Sequence, residues 1–273
     1  MKEIAFTKMT GLGNDFIFID NTKNLFDAVL DDIITHIPKL CKRGLSIGAD
    51  GFVILEQSNQ ADFAWRFFNS DGSTAEMCGN AARCAAKFAY LNGIAGREMA
   101  FHTKAGIIKA EIIDDLLVKA ELTKPNNIII DTHISLGNQD LIVSTINTGV
   151  PHTVQFVETL ENLDVQALGN KIRNHKRFLP EGTNVDFCKI IDNNNIMIRT
   201  YERGVENETL ACGTGALAAA VISKEKGFVD YPINVKIKSG GTITISFENN
   251  SYYINAEARL VYKGFFYREA YLY

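Results

Sequence analysis

Short apolar runs rich in branched and aromatic residues recur along the chain and predict a protein built mainly from β-strands. In the first half these runs cover residues 4–6, 16–19, 52–55, 63–68, 98–103, 107–113 and 117–122. In the second half they cover residues 196–201, 234–237, 242–247 and 252–258. The phrases at 104–106 and 238–241 each lie between two such runs and predict matching hairpin turns.

Four segments have helical patterns, and these are of two kinds. Residues 79–92 and 213–226 are rich in alanine and apolar on most sides, which indicates helices enclosed by sheet. Residues 26–41 and 165–174 have polar faces and predict two short helices at the surface. Because both kinds occupy similar places in the two halves, each half is expected to be a mixed sheet curled around one buried helix.

The two alanine-rich segments begin with the same Cys-Gly phrase, at Cys78 and at Cys212, 134 residues apart. The same offset aligns further pairs without a gap: Gly48 with Gly182, Phe67 with Tyr201, Lys104 with Lys238, and Gly106 with Gly240. This predicts an internal duplication and an α+β (mixed α/β) fold of two pseudo-symmetric lobes, each with a mixed sheet wrapped around a central helix. The repeat places the boundary near residue 118.

Length and composition narrow the class of protein. A chain of 273 residues favours two domains, and 28 basic against 32 acidic residues give no basic patch to predict a nucleic-acid partner. Five cysteines, an odd number, favour reduced thiols and a cytoplasmic setting over a disulfide scaffold. The first residues lack the apolar core of a secretory signal, and the apolar stretch 210–222 is shorter than the ~20 residues that span a bilayer, so no membrane association is expected. The five histidines show no metal-ligand spacing, and no phosphate loop is present.

Cys78 and Cys212 each precede a glycine at the start of a predicted helix. The first N–H groups of a helix lack internal partners and carry partial positive charge, so we expect both thiols to have a pKa below the ordinary ~8.5. The same N–H groups can hold a carboxylate, and Gly79 and Gly213 remove the Cβ that would block its approach. Two such thiols facing one another across a cleft would act as acid and base on opposite faces of one carbon, as racemisation of an amino acid requires.

The other three cysteines, Cys41, Cys84 and Cys188, have no counterpart in the other copy and are interpreted as packed side chains. For any single cysteine beside a glycine, packing is also the commoner explanation. Repetition at equivalent points of a duplication favours a chemical role for Cys78 and Cys212.

Several phrases are similar to those of the diaminopimelate epimerase family, over essentially the whole chain. They are residues 11–16 (GLGNDF), 68–73 (FNSDGS), 77–80 (MCGN), 182–186 (GTNVD), 201–204 (YERG) and 208–215 (ETLACGTG). The resemblance implies an isomerase that needs no cofactor and interconverts LL- and meso-diaminopimelate on the route to lysine and peptidoglycan. It also implies that the C-terminal tail returns to the first lobe. The expected lobes are then 1–117 plus 263–273, with Cys78, and 118–262, with Cys212, around an active-site cleft.

The resemblance also assigns roles by position. It makes Cys78 and Cys212 the acid/base thiols and puts His152 and Glu202 beside them, where they would help to set their protonation. The groups expected to hold the reacting carboxylate or fix the rest of the substrate are Asn14, Asn69, Gly79, Asn80, Asn184, Glu202, Arg203, Gly213 and Thr214. The implied ligand is a small molecule, no metal is expected, and a homodimer is a further expectation for such an enzyme.

The chain departs from the family pattern at two positions. Val150 stands where the family usually has asparagine, and Gly51 stands where some members have an amide. Substrate choice is therefore open, and a racemase of another amino acid on the same fold is the first alternative. An isomerase that uses a single carboxylate and a non-enzymatic binding protein are the others.

Overall fold

The chain divides into two compact units, and each is described by itself. The structure is a computed structural model, and it describes residues 3–74, 77–137 and 139–273. Unit 1 comprises Met1–Glu121 and Ala256–Tyr273, and unit 2 comprises Leu122–Asn255. The divisions expected from the sequence were at 117/118 and 262/263. Among the described helices, none is long and apolar enough to cross a membrane.

Unit 1 contains a mixed β-sheet and helices on both of its faces. Its strands, numbered in chain order across both units, are β1 (Ile4–Gly11), β2 (Asn14–Asp20), β3 (Gly51–Glu56), β4 (Phe63–Asn69), β5 (Glu98–Thr103), β6 (Gly106–Ile112), β7 (Leu117–Leu122) and β17 (Arg259–Phe266). Its helices are α1 (Asp27–Thr35), α2 (Ile37–Leu40) and α3 (Gly79–Leu91), followed by a 3-10 helix at Arg268–Tyr271. The strand order is β17–β1–β2–β3–β4–β5–β6–β7, in which β2–β3 and β4–β5 are parallel and the other pairs antiparallel.

Helix α3 is enclosed because the strands of unit 1 wrap around it. It packs against β1, β2, β3 and β6, and residues 79–89 are all buried. On β2, Phe18 stacks on Phe88 of α3 with 5.2 Å between ring centroids. Ile17 and Ile19 point to the opposite face, into a cluster with α1 and α2. Since both faces of β2 are covered, a continuous apolar run forms this strand instead of an alternating one.

The surface helix expected over 26–41 is two helices. Helix α1 ends at Thr35 and α2 begins at Ile37, with the non-helical His36 (φ −105°, ψ 10°) between them. Pro38 explains the break, because proline lacks a backbone N–H and its ring clashes with the carbonyl four residues earlier. The expectation of one continuous helix is therefore wrong.

Unit 2 is built in the same way. Its strands are β8 (Asn126–Ser135), β9 (Asp140–Asn147), β10 (Pro151–Phe156), β11 (Asn184–Asp192), β12 (Asn195–Glu202), β13 (Asn207–Thr209), β14 (Ile233–Lys236), β15 (Thr242–Glu248) and β16 (Ser251–Glu257). Its helices are α4 (Val165–Arg173) and α5 (Gly213–Glu225), with a 3-10 helix at Lys176–Phe178. The strand order is β8–β9–β10–β11–β12–β14–β15–β16, with β13 also on β12, and the pairs β10–β11 and β12–β14 are parallel.

Helix α5 is the counterpart of α3. It packs against β9, β10, β11, β12, β14 and β15, and residues 215–223 are buried. Both helices have 13 residues. The alternation of parallel and antiparallel pairs from β2 to β6 is repeated from β10 to β15. The predicted α+β fold, with a mixed sheet around a central helix in each half, is confirmed.

Candidate active site

Cys78 stands at the start of α3, the buried helix of unit 1. It directly precedes the first turn with an extended backbone (φ −146°, ψ 119°), and Gly79 and Asn80 after it are buried. The side chain of Cys78 is half-buried. The thiol is therefore attached next to the positive end of a helix, where a negative charge is favoured.

Two of the asparagines expected to bind substrate are joined by a hydrogen bond. Asn80 Nδ2 donates to Asn14 Oδ1 at 2.7 Å, and Asn14 Nδ2 donates to Asp50 Oδ2 at 3.2 Å. The end of β1 comes close to the first turn of α3, and a Cβ on Gly11 would lie 3.2 Å from Asn80 O. The turn from β1 into β2 thereby brings Asn14 to the start of the helix.

Charged side chains hold the other end of this chain of amides. Arg43 donates to Asp15 Oδ2 at 2.9 Å and to Asp50 Oδ1 at 2.8 Å, and Lys8 Nζ is 2.9 Å from Asp15 Oδ2. Burial raises the pKa of Asp15, but hydrogen bonds from Arg43 and Lys8 outweigh it and lower the pKa to about 2. Asp15 is therefore ionised at neutral pH and anchors Arg43 against Asp50.

Asn69, the third asparagine of unit 1 expected to bind substrate, has other hydrogen-bond partners than Asn14 and Asn80. It ends β4, opposite Gly51 of β3, and its exposed side chain donates to Ser73 Oγ at 3.0 Å. A Cβ on Gly51 would lie 2.7 Å from Phe67 Cε2 and 2.9 Å from Phe68 O. Any side chain at position 51 would clash with Phe67 and with the backbone of Phe68. The packing of Phe67 therefore explains why this chain has glycine where some family members have an amide.

Cys212 occupies the corresponding position at the start of α5 in unit 2. Its backbone is extended as well (φ −130°, ψ 110°), and its side chain is only 8% exposed. Its Sγ accepts a hydrogen bond from the backbone N–H of Gly215 at 3.3 Å and lies 3.4 Å from Thr214 Oγ1. The thiol thus caps the helix.

The low pKa expected for Cys212 is wrong. Burial raises its pKa well above the ordinary value, and the negative charges of Glu202 and Asp186 raise it further. Hydrogen bonds with Thr214 and Gly215 act in the opposite direction but do not compensate, because a thiolate loses most of its stabilisation when it leaves water. Burial and the nearby carboxyl groups therefore favour the protonated thiol of Cys212 at neutral pH.

A buried histidine–aspartate pair lies behind Thr214. His152 Nδ1 and Asp186 Oδ2 are 2.6 Å apart, and neither side chain is exposed. Because a carboxylate only accepts, Nδ1 carries the hydrogen of this bond, and Asn184, whose amide oxygen accepts from the backbone N–H of Arg203, turns its NH2 group towards Nε2. Nε2 lies 3.0 Å from Thr214 Oγ1 and 3.3 Å from Asn184 Nδ2, which can both donate to it.

Asp186 is a site residue to which the sequence analysis gave no role. Its Oδ1 accepts from Thr200 Oγ1 at 2.7 Å, and a Cβ on Gly215 would lie 2.3 Å from this oxygen. Position 215 therefore has to be glycine for the carboxylate to reach the start of α5. The available signal was the acidic residue between Val185 and Phe187, since a charge in an apolar strand must find a partner.

The end of β12 brings Glu202 and Arg203 into the same region of unit 2. Glu202 Oε1 accepts from Thr209 Oγ1 at 2.8 Å. The carboxyl group also contacts the thiol of Cys212, and burial raises its pKa. The backbone N–H of Arg203 donates to Asn184 Oδ1 at 2.8 Å. In unit 2, the side chains of His152, Asn184, Glu202 and Thr214, all expected at the active site, therefore lie close to Cys212 or are linked to one another by hydrogen bonds.

A pocket of about 710 Å³ in unit 2 opens beside Arg203 and His152. Arg177 and Glu181 also line it, and Arg203 Nη1 donates to Glu181 O at 2.9 Å. Two guanidinium groups at one pocket can accept a carboxylate, because their N–H groups match its geometry.

Val150 lies in the loop between β9 and β10. The backbone N–H of Thr148 donates to Val150 O at 3.1 Å, and Thr148 Oγ1 donates to Thr214 O at 3.2 Å. The side chain of Thr148 therefore ties this loop to the start of α5, and Val150 contributes its backbone carbonyl within the loop, as asparagine would. The departure removes only what an amide side chain would contact.

The remaining cysteines, Cys41, Cys84 and Cys188, are all buried. Burial raises the pKa of Cys41, Cys84 and Cys188 to about 12 each, as fits packed side chains. Within residues 3–74, 77–137 and 139–273, no group of three or more His, Cys, Asp and Glu side chains could hold a metal ion.

Comparisons of sequence identify relatives of this chain. The family model described as diaminopimelate epimerase matches residues 6–128 and 144–261. The diaminopimelate epimerase of Aquifex aeolicus is 44% identical over 255 residues, which cover 90% of this chain and 91% of the relative. That of Archaeoglobus fulgidus is 37% identical over 275 residues, which cover 96% and 95%.

Solved structures share the fold at low sequence identity. A PhzF-family phenazine biosynthesis protein from Bacillus anthracis has a TM-score of 0.71 at 13% identity and covers 98% of this chain and 100% of its own. A hydroxyproline epimerase from Agrobacterium vitis with bound trans-4-hydroxy-L-proline has a TM-score of 0.68 at 14% identity, with 96% and 92% covered. These likenesses show the fold alone. The sequence matches show more: this chain belongs to the diaminopimelate epimerase family, and it is an isomerase.

Proposed function

We propose that this protein interconverts LL-2,6-diaminopimelate and meso-diaminopimelate with two thiols as acid and base, without a cofactor. The observation that carries the proposal is the pair of cysteines at equivalent helix starts, Cys78 on α3 and Cys212 on α5, in a chain of this family. The substrate would bind with one thiol on each face of its α-carbon. Two groups are needed because a single base would return the proton to the face it came from.

The carboxylate beside the reacting carbon is proposed to bind at the two helix starts. The donors are the backbone N–H groups of Gly79, Asn80, Gly213 and Thr214. The α-proton is a very weak acid, so the negative charge that forms on its removal must spread into this carboxylate. Fixed donors in a site without water stabilise such a charge by roughly 2.7–4 kcal/mol each.

One proton transfer takes place on each face. In one direction the thiolate of Cys78 removes the α-proton, and the electrons of the C–H bond pass into the carbon and its carboxylate. The thiol of Cys212 then gives its proton to the opposite face of the carbon. Cys78 ends protonated and Cys212 ends as a thiolate, and the reverse reaction restores both. The neutral state of buried Cys212 supports its role as the acid in this direction.

Neighbouring groups are proposed to adjust these protonation states and to hold the distal end of the substrate. Glu202 contacts Cys212, and Thr214 lies between Cys212 and Nε2 of His152. The hydroxyl of Thr214 can therefore turn from His152 to a thiolate at Cys212. Arg203 would pair with the distal carboxylate. The remaining polar groups proposed to fix the substrate are Asn14, Asn69 and Asn184.

Proton NMR of LL-diaminopimelate in D2O tests this function. The purified protein, with reducing agent and no added cofactor, is expected to remove the α-proton signal and to produce the meso isomer. Protein treated with iodoacetamide serves as the blank. If the reduced protein causes neither exchange nor inversion, the proposal is wrong.

A racemase of another amino acid is the alternative that observations favour, through Val150 and the fold shared with a hydroxyproline epimerase and a probable proline racemase. Against it, Arg177 and Arg203 line a pocket that suits a second carboxylate, which proline lacks. The same NMR experiment with L-proline and trans-4-hydroxy-L-proline separates the two. If the protein were an isomerase with a single carboxylate, α-proton exchange would continue without Cys212. If it were a non-enzymatic binding protein, no α-proton exchange would occur.

The proposed reaction implies a place in the cell and an assembly. It would supply precursors of lysine and peptidoglycan in the cytoplasm.

A homodimer is proposed through β17, where Val261, Tyr262 and Phe265 are exposed to 54%, 44% and 63%. Sedimentation equilibrium is expected to give twice the 30.3 kDa of the chain, and Phe265→Asp is expected to shift the protein towards the monomer. A wild-type monomer would contradict this assembly.

A further inference from the structure

Arg83 is a buried cation on α3 to which the proposed reaction gives no role. It is among the largest fully buried side chains of the protein. Its Nη1 donates to Gly79 O at 2.9 Å, and its Nη2 donates to Asn80 Oδ1 at 2.6 Å. Helical side chains lean towards the N-terminus of their helix, so the guanidinium lies against the turn that Cys78 opens.

The guanidinium has no carboxylate partner among the described residues. Two cysteines, Cys84 and Cys78, lie near enough for a thiolate at either to raise the pKa of Arg83, and its Nε has no hydrogen-bond partner. Burial lowers the pKa of Arg83 to about 10, so it stays charged at neutral pH. The charged side chains on the strands around α3 have other partners or lie on the less buried face of β6. Lys8 pairs with Asp15, Glu56 pairs with Arg66, and Asp20 accepts hydrogen bonds from Thr22, while Lys109 and Glu111 are those on β6. A buried cation without a counter-charge is unfavourable, so an anion is expected beside it.

Of the two neighbouring thiols, only one suits the role of that anion. Burial raises the pKa of Cys84 to about 12 even though Arg83 acts to lower it, so Cys84 stays protonated. Cys78 is half-buried and stands at the helix start, where both the helix end and the guanidinium favour a negative charge.

The hydrogen bonds of Arg83 also fix the direction of the amide chain. A guanidinium only donates, so Asn80 offers its oxygen to Arg83 and its NH2 group to Asn14. At the other end Asp50 only accepts, so Asn14 offers it an NH2 group. Neither amide can flip without losing both of its hydrogen bonds in this chain. Each NH2 group keeps one N–H for an acceptor on the substrate.

The two copies of the fold differ in charge at this point. The offset of 134 residues pairs Arg83 with Leu217, Phe52 with Asp186, and Phe68 with Glu202. The thiol of unit 1 therefore has a buried cation on its own helix. The thiol of unit 2 has two carboxyl groups near it and a leucine in place of the cation. The backbones match, whereas the electrostatic surroundings are opposite.

We propose that Arg83 is a positioning residue that favours the thiolate of Cys78 before substrate binds and orients Asn80 and Asn14 with their N–H groups towards the substrate. The proposal rests on the proposed function, because two-thiol chemistry is what gives that thiolate a task. It implies that the reaction cycle begins with unlike groups, a thiolate at Cys78 and a thiol at Cys212.

The test measures alkylation of each cysteine by iodoacetamide as a function of pH, on the full chain without substrate, with mass spectrometry of the peptides. In the wild type the Cys78 rate is expected to rise with a midpoint below the ordinary ~8.5. Arg83→Met keeps the length of the side chain and removes the charge. It is expected to raise the Cys78 midpoint by about 1–3 units, so that alkylation at neutral pH slows at least tenfold. The Cys212 profile in the same sample is expected to stay unchanged.

Two further variants separate charge from geometry. Lys87→Met removes another buried cation of α3, one whose Nζ donates to Ala258 O at 2.7 Å, and is expected to leave the Cys78 midpoint where it is. Arg83→Lys keeps the positive charge but loses one of the two hydrogen bonds that the guanidinium donates to Gly79 and Asn80. It is expected to keep a low midpoint and to raise the KM for diaminopimelate through misplaced Asn80.

Two outcomes would overturn the role of Arg83. One is a wild-type Cys78 midpoint at or above ~8.5. This outcome can be read from the wild-type protein alone, whether or not the variants fold. The other is an equal midpoint in the wild type and in Arg83→Met. Since the alkylation needs no substrate, a low midpoint in a protein that fails to exchange diaminopimelate would count against the proposed reaction and not against Arg83.

Discussion

Replacement of Cys78 or Cys212 by serine is expected to lower the turnover of diaminopimelate by about 10²–10⁴-fold, the range typical for loss of a general acid or base. Serine fits the same helix start, but its hydroxyl is a far weaker acid than a thiol, so one of the two proton transfers loses its group. Steady-state rates measured from the LL and the meso isomer test this, with circular dichroism to show that both variants are folded.

The single-thiol variants are also expected to retain a partial reaction. The remaining cysteine can remove an α-proton and, in D2O, return a deuteron to the same face, so exchange without inversion is expected to exceed inversion. Cys188→Ser is the matched control, because it changes a buried thiol 3.8 Å from Ser223 Oγ and away from the helix starts. Its turnover is expected to equal that of the wild type. Epimerisation at wild-type rates by either active-site variant would exclude the two-thiol mechanism.

Substitution of Gly215 by alanine is expected to destabilise the protein by about 3 kcal/mol or more and to abolish most of its activity. The new Cβ would lie 2.3 Å from Asp186 Oδ1 and 3.2 Å from Thr200 Oγ1, so the carboxylate must move. Asp186 would then lose its hydrogen bond with His152, and leaving a buried polar group without its partner costs about 1–3 kcal/mol, and more for a charged group. Urea unfolding measures the change in the free energy of unfolding.

Gly213→Ala is the control for stability, at the first residue of the same helix. A Cβ there meets nothing closer than Ile254 Cδ1 at 3.4 Å, so its unfolding midpoint in urea is expected to stay near that of the wild type. Equal midpoints for Gly215→Ala and Gly213→Ala would show that Asp186 does not occupy the position described.

The sequence pattern was informative wherever burial is continuous along an element. The segments expected at 79–92 and 213–226 match α3 and α5 closely, because a helix apolar on all sides has to be enclosed. Strands β8, β9, β10, β11, β13 and β17 were not expected. Ile129 and Phe265, on β8 and β17, are exposed, so their strands lack a regular inward face. On β10 and β11 the buried His152 and Asp186 interrupt the apolar run.

Within the site, the position of each cysteine proposed as acid or base follows from a local feature, the start of a helix, and could be predicted. Asp186 and Arg83 could not, because their importance lies in contacts with other elements or in how deeply they are buried. The same holds for the pKa of Cys212. The helix end acts on it as expected, but burial and two carboxyl groups on neighbouring strands, Glu202 and Asp186, outweigh that effect. Such quantities depend on what surrounds a residue in space.

The pairing of β1 with β17 makes unit 1 discontinuous in sequence, and this has a consequence for synthesis on the ribosome. The first strand emerges long before its partner at 259–266 exists, whereas unit 2 is one uninterrupted stretch. Closing so long a loop is slow and entropically unfavourable. Until it closes, one edge of β1 is an open template on which a strand of another nascent chain could pair. The unit that is translated first is thus the one that is completed last.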